Sequence, residues 1–412
     1  MRFLFFTQYF PPEIGASQVR LAAVIRELVR RGHEVEVITA LPNYPTGRIF
    51  PEYRGHLYVC EEWEGVLVHR VWLYPAIGAG FKRMLNYASF AINSVYGLLR
   101  ARKPDYIFVE SPPIFLSPAA WFASQRWGVP FIFNVADLWP DSIQALGSVR
   151  NQWLLGFAKY LEAWSYRQAR FINAVTEGVR LKLIEKGVPP NKVLFLPNGV
   201  DTDTFKPMPP DLELLRELGL AELKNKTIIL YAGTLGFAHG LDVVLKALPY
   251  LKERMHMVHV LFVGDGSERA KLEALQRRLG LINVTFLPPQ PPEVVARLYS
   301  FSYAGITTQR NLPLLEGNRP AKIPVIMASG RPVIFSGSGE ASRLIESAQA
   351  GLVVPPEDPV ALSDAIRYLL DRPEEAKRLG ANGRRYVEDN LSWTTLVGRW
   401  LGELEEREGL KP

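Results

Sequence analysis

A carboxylate and two cations stand close together in "LLEGNRPAKIPVIMASGRPVIFSGSGE", the segment that holds Glu316, Arg319 and Lys322. The apolar run from Ala321 to Ala328 reads as a short helix, and "SGRPV" then turns into a buried strand. Cations beside a helix start attract an anion, and a nearby carboxylate accepts hydrogen bonds from hydroxyl groups. A ligand with both phosphate and hydroxyls suits that chemistry. A surface charge cluster has the same residue types, but it does not usually lead straight into an apolar helix.

Glycine-rich stretches follow strand-like runs elsewhere. In "QYFPPEIGASQVR", Gly15 permits close approach, Ser17 is placed to cap the next helix, and Arg20 adds a charge one turn in. "YAGTLGFAHGLD" repeats the device with Gly233, Gly236 and Gly240, and with Thr234 and His239 as hydrogen-bond donors. "VGDGSE" adds Gly264 and Gly266. None has Walker or dinucleotide spacing, and strand-to-helix turns need glycine for their own geometry. Each stretch is weak alone. "NVADLWPDS" sets Asp137, Trp139 and Asp141 after another strand, a ring face and carboxylates of the kind a sugar needs. An Asp cap with the Trp packed beneath the loop reads equally well.

Such loops work only if their strands end along one edge. Apolar strand-like runs recur at Phe3 to Thr7, Val35 to Thr39, Tyr106 to Val109, Phe131 to Val135, Phe171 to Ala174 and Val193 to Leu196. Helical patterns separate most of them, which predicts a parallel sheet covered on both faces. The pattern stops in "PNGVDTDTFKPMPPDL", a segment without periodicity that reads as a linker. It restarts at Ile228 to Ala232, Val258 to Val263, Val284 to Leu287, Gly305 to Thr307, Val333 to Phe335 and Leu352 to Val354. The expected architecture is therefore α/β, with two Rossmann-like doubly wound domains facing across a cleft where ligand binds. The domains are expected at 1–205 and 206–385, with a C-terminal helix in 386–412 returning to the first domain.

Composition narrows the function. The chain has 412 residues and a net charge of +6, from 48 Lys and Arg against 42 Asp and Glu. A mildly basic surface suits phosphorylated ligands or an anionic membrane face. No arginine-rich arm or zinc-finger spacing points to nucleic acid. The single cysteine, Cys60, excludes an internal disulfide and a cysteine-based metal site. No Asp-x-Asp motif follows a strand in the first domain, so no metal is expected. Met1 to Thr7 is too soon interrupted by Pro11 and Pro12 for a signal peptide, and no run reaches the roughly 18 apolar residues of a spanning helix. A cytoplasmic location, or a peripheral one on the inner face of the membrane, is expected.

In order along nearly the whole chain, "QYFPPEIGASQVRLAAVIRELVRRGHEVEVITALPNYPTG", "DLWPDSIQALG", "PNGVDTDTF", "YAGTLGFAHGLD", "GDGSE" and "ASGRPVIFSGSGEASRLI" resemble the retaining glycosyltransferases of family 4, which have the GT-B fold. The similarity is strongest to the branch that adds sugars or amino-sugars in bacterial polysaccharide assembly. It implies a nucleotide-sugar donor, UDP-linked, bound by the second domain, and a glycan or polyprenyl-linked acceptor bound by the first. No separate cofactor is implied, because cations and helix dipoles neutralise the leaving diphosphate. Lys322, partnered near His239 or Arg319, would supply that charge, with Gly15 against the phosphates and Asp137 and Glu316 as site carboxylates. Two positions depart from the family pattern. Val325 stands where many members have a ribose-binding glutamate, with Glu316 nine residues before it rather than eight. Ala136 stands where many have a histidine. A nucleotide-sugar 2-epimerase or a non-catalytic nucleotide-sugar-binding homologue are the competing readings.

One segment invites a different use. "VWLYPAIGAGFKRMLNYASFAINSVYGLL", Val71 to Leu99, sets aromatic residues beside Lys82 and Arg83 ahead of an amphipathic helix. The loop Ala76 to Arg83 is expected to touch anionic lipid, while the helix after it reads as a cover for the sheet.

Overall fold

The computed structural model describes residues 1–13, 15–78, 80–138, 141 and 152–409. They form two compact units. One comprises Met1–Asn198 with the C-terminal segment from Leu396, and the other comprises Gly199–Thr395.

The first unit is built on an eight-stranded sheet. Its strands are β1 (Arg2–Phe6), β2 (Glu34–Ala40), β3 (Tyr58–Trp63), β4 (Val66–Val71), β5 (Tyr106–Ser111), β6 (Phe131–Val135), β7 (Phe171–Ala174) and β8 (Val193–Phe195), in the order β3-β4-β2-β1-β5-β6-β7-β8. All neighbours are parallel except β3 and β4. That hairpin was not legible in the sequence. Glu61, Glu62, His69 and Arg70 interrupt its apolar pattern, and the turn rests on Glu64 and Gly65 at φ 48° and 80°.

Side chains alternate across the sheet, so neighbouring residues of β1 meet different helices. Phe6 packs against Phe90 of α2 (Phe81–Leu98), with ring centroids 5.9 Å apart. Phe3 lies 6.0 Å from Trp400, which also meets Phe108 at 5.9 Å. Trp400 is fully buried and belongs to the last helix, Trp393–Arg407, whose part from Leu396 completes the first core. Its companions Val397 and Leu404 are buried too.

The second unit carries an all-parallel sheet of β9 (Thr227–Ala232), β10 (Val258–Val263), β11 (Val284–Leu287), β12 (Ser302–Thr308), β13 (Val333–Ser336) and β14 (Gly351–Val354). The order β11-β10-β9-β12-β13-β14 places the topological switch between β9 and β12. Ligands of open α/β sheets bind at the carboxyl ends of the strands beside such a switch.

The domain limits differ from those expected. Gly199 to Phe205 belong to the second unit, where the Val200 N–H donates to the Leu391 carbonyl at 3.0 Å and Arg384 Nη1 donates to the Phe205 carbonyl at 2.7 Å. Proline and glycine suggested a linker, but Asp201 orders the turn by accepting from the N–H groups of Asp203 and Thr204 at 2.9 and 3.1 Å. Residues 386–395 likewise stay with the second unit, and Val387 is buried in its core.

Trp400→Ala tests whether the returning helix is part of the first core. Removing so large a buried ring should cost about 3–5 kcal/mol, read in urea as earlier unfolding of the first unit. An unchanged midpoint would contradict this packing.

Candidate active site

Lys322 is the first residue of a short helix, Lys322–Ala328, in the second unit. The half-buried ammonium lies 5.0 Å from the centroid of the Tyr231 ring. Among the described residues no carboxylate pairs with it, and burial lowers its pKa to about 8. A desolvated cation needs either a counter-charge or deprotonation. The tyrosine face offers only part of that, through its quadrupole.

The glycine loops make room for this side chain. Gly233 has φ 142°, and a Cβ there would fall on the Lys322 chain. Gly264 and Gly266, at φ 144° and 158°, let the loop after β10 lie on the backbone of Gly233 and Leu235. The Leu235 N–H donates to the Asp265 carbonyl at 2.9 Å, and the Glu268 N–H returns a bond to Leu235 at the same length. Gly264 and Gly266 thus serve loop-on-loop packing.

His239 is the neighbour Lys322 acquires. Burial and then the Lys322 charge lower its pKa to about 4, so the ring is neutral at pH 7. Its carbonyl accepts from the Thr308 hydroxyl at the end of β12. Thr234 is exposed on the same loop, and its carbonyl accepts from the Tyr231 hydroxyl at 2.5 Å. Arg310, which no sequence signal singled out, braces the loop. Its Nε donates to the Phe237 carbonyl at 2.9 Å while Nη1 and Nη2 reach Glu357 and Asp242 at 2.7 and 3.2 Å.

Arg319 and Glu316 both neighbour Glu340. Burial lowers the pKa of Arg319, opposed by the charge of Glu340 and by Tyr386, so its electrostatic partner is Glu340. Glu316 is exposed, and its backbone carbonyl accepts from the Glu340 N–H at 2.7 Å. Val325 is half-buried against the core, so no carboxylate stands at that position. The helix from Lys322 has only seven residues and the one after the His239 loop, Asp242–Ala247, only six. Point charges rather than long helix dipoles therefore dominate.

The first unit has its own cleft of about 350 Å³ at the carboxyl edge of its sheet, lined by Tyr9, Gly15, Gln18, Arg20, Tyr44 and Arg83 among others. Ala136 lines it too, and Asp137 follows, exposed. Gly15 has extended backbone (φ −175°), and a Cβ there would meet Gln18 Oε1 at 2.5 Å. Ser17 does not cap the helix Ala16–Arg30, which has no side-chain cap; its hydroxyl donates to Gln18 Oε1 at 3.0 Å. Arg20, expected as a cation of the donor site, lines the same cleft. It pairs with the buried Glu110, which accepts a further bond from Asn134 at 2.8 Å, so its charge is already matched. Asp141 pairs with Lys186 at 2.9 Å, and Trp139 lies outside the described residues.

The cleft's unmatched cation is Arg83. Its guanidinium donates to the hydroxyls of Tyr9 and Tyr87 at 2.5 and 2.9 Å and to the Ala76 carbonyl at 2.8 Å. No carboxylate pairs with it among the described residues. Glu13 shapes the wall without lining it. Its carboxylate accepts from the N–H groups of Asn43 and Tyr44 at 2.8 and 2.7 Å, and burial raises its pKa to about 7 against those bonds.

Two doubly wound units, each with polar groups at the carboxyl edge of its sheet, define the class that family comparisons confirm. Residues 15–199 match the glycosyl transferase 4-like domain, and residues 219–386 match glycosyl transferases group 1. The chain belongs to the family 4 glycosyltransferases and is an enzyme of that GT-B class. It is 27% identical over 415 residues to WcaI of Escherichia coli (strain K12), named as a colanic acid biosynthesis glycosyl transferase, covering 98% of this chain and 100% of that one. In fold it is similar to sucrose-phosphate synthase from Thermosynechococcus elongatus, with TM-score 0.75, 18% identity and 99% of each chain covered. It is also similar to Anabaena HepE solved with UDP and glucose, with TM-score 0.71, 19% identity, and 98% of this chain and 99% of that one covered.

A double-mutant cycle tests the socket. Gly233→Ala should lose about 1–3 kcal/mol through positive φ and the clash with Lys322. Combined with Lys322→Ala it should lose less than the sum of the single variants, as urea unfolding will show. Strict additivity would mean that Gly233 does not make room for Lys322.

Proposed function

We propose that this enzyme transfers a sugar from a UDP-linked donor held by the second unit to an acceptor held by the first, with retention of anomeric configuration. The observation that carries the reading is Lys322, a half-buried cation with no carboxylate partner among the described residues. A nucleoside diphosphate is the anion such a cation needs. The fold-level likeness to HepE, solved with UDP and glucose, supports the nucleotide. The name of the WcaI relative supports a polysaccharide acceptor. The transferase relatives leave no feature that favours the epimerase.

Charge develops on the diphosphate as the bond to the sugar breaks. Lys322 as a cation and His239 as a neutral donor stabilise it most in the transition state, when that charge is largest. The departing phosphate then takes the proton of an acceptor hydroxyl attacking from the same face. Glu316 and Asp137 are exposed carboxylates suited to hydroxyl groups. Arg83 gives the first unit's cleft one positive charge, which suits an acceptor bearing phosphate or another anion. Point charges from the protein make the reaction independent of divalent metal.

Lys322→Ala should lower turnover by roughly 10²–10³-fold, read as UDP release from a panel of UDP-sugars, with the circular dichroism spectrum unchanged. EDTA should leave the wild-type rate intact. Near-normal turnover in folded Lys322→Ala, or a chelated enzyme revived by Mg²⁺ or Mn²⁺, would defeat this mechanism.

A further inference from the structure

Three helices cover the same face of the first sheet. α2 packs on β2 and β4, α3 (Leu116–Trp127) packs on β5 and β6, and α3 lies between α2 and α4 (Gln152–Gln168). The last two are joined by Trp121 against Trp164, with ring centroids 5.8 Å apart. Each helix buries one side against the sheet, as amphipathic helices do. The other side should then be polar throughout, but apolar stripes run along it.

On α2 the outward positions Phe81, Leu85, Ile92 and Tyr96 fall four or seven residues apart, in one stripe along the helix. Phe81 is 81% and Ile92 71% exposed. Phe122 of α3 is exposed beside them. α4 repeats the stripe with Trp153, 90% exposed, then Phe157 and Tyr160, which with Gly156 border a shallow hollow. Scattered exposed apolar residues need no explanation, but stripes on neighbouring helices mark an interaction surface.

Charge says what covers it. The exposed charged residues of the three helices are Lys82, Arg126, Lys159 and Arg167, all cations. Their one acidic residue, Glu162, is buried and accepts from Lys186 at 2.7 Å. The last helix, on the opposite sheet face, instead exposes Arg399 and Glu406 of both signs. A symmetric contact between two copies of the layer would bring cations together with no carboxylate between them. Apolar and aromatic side chains interleaved with cations match an anionic bilayer.

We propose that the α2–α3–α4 layer is seated on an anionic lipid surface, with the two stripes in the headgroup region. The loop Ala76 to Arg83 takes a smaller part than the sequence suggested. Phe81 and Lys82 face outward, but Arg83 is turned inward and held by Tyr9, Tyr87 and Ala76. This surface is separate from the proposed transfer chemistry.

Co-sedimentation of the full chain with vesicles tests it, using phosphatidylcholine alone and phosphatidylcholine with about one-third phosphatidylglycerol. The wild type should pellet with the anionic vesicles at low salt and be released by high salt. Ile92→Glu/Trp153→Glu and Lys82→Glu/Arg126→Glu should each weaken binding at least about tenfold while keeping wild-type circular dichroism and UDP release from UDP-sugars. Equal pelleting of wild type and both variants, or none by the wild type at low salt, would overturn the proposal. So would a dimer in light scattering that Ile92→Glu abolishes, since that would give the face to a second copy.

Discussion

An ammonium group held half out of water, with no carboxylate paired to it among the described residues, constrains the second unit more than any other single feature. Lys322 lies over Tyr231, and its pKa falls because neighbouring atoms replace water without replacing water's charge stabilisation. The loops around it follow from making room for that group. Gly233 leaves space for the lysine chain, Gly264 and Gly266 let the adjoining loop press against Gly233 and Leu235, and Arg310 ties the His239 loop to Asp242 and Glu357. His239, neutral beside the cation, offers a hydrogen bond without adding repulsion.

The first unit handles its charges in the opposite way. Arg20, Glu110, Asn134 and Asn173 form a buried chain of matched groups across β5, β6 and β7, with the Asn173 side chain donating to Asn134 at 2.6 Å. A matched pair fixes the helix after β1 against the sheet and leaves little charge for a ligand. Arg83, held by neutral oxygens, keeps its charge for the cleft. The same helix α2 carries Arg83 inward and the apolar stripe outward, so one element serves both the cleft and the surface.

Much of the architecture was legible because parallel strands buried on both faces are near-continuous apolar runs, as β1, β6, β9 and β10 are. The β3–β4 hairpin was not, since an edge strand alternates with charge. The segment around Val200 read as a linker because proline and glycine mark loops whether or not those loops dock. Lys322 could be singled out from sequence because a lone cation ahead of an apolar helix is unusual. The pairing of Arg20 with Glu110, 90 residues apart, was not legible, because nothing local marks it. Ser17 looked like a cap by residue type, but the helix begins at Ala16 and leaves it inside the first turn. Arg319 and Lys322 looked equivalent as neighbouring cations, and only the fold assigns Glu340 to one of them.

The most direct test is a titration of Lys322 by the ¹³Cε resonance of selectively labelled lysine, assigned with Lys322→Arg, with and without UDP. In the free enzyme the pKa should lie at about 8, well below an ordinary lysine. A bound diphosphate favours the charged form, so UDP should raise it by at least about one unit, and by linkage UDP affinity should fall as pH rises through the free-enzyme value. An ordinary lysine pKa that UDP leaves unmoved would contradict the assignment of Lys322 as the counter-charge to the leaving diphosphate.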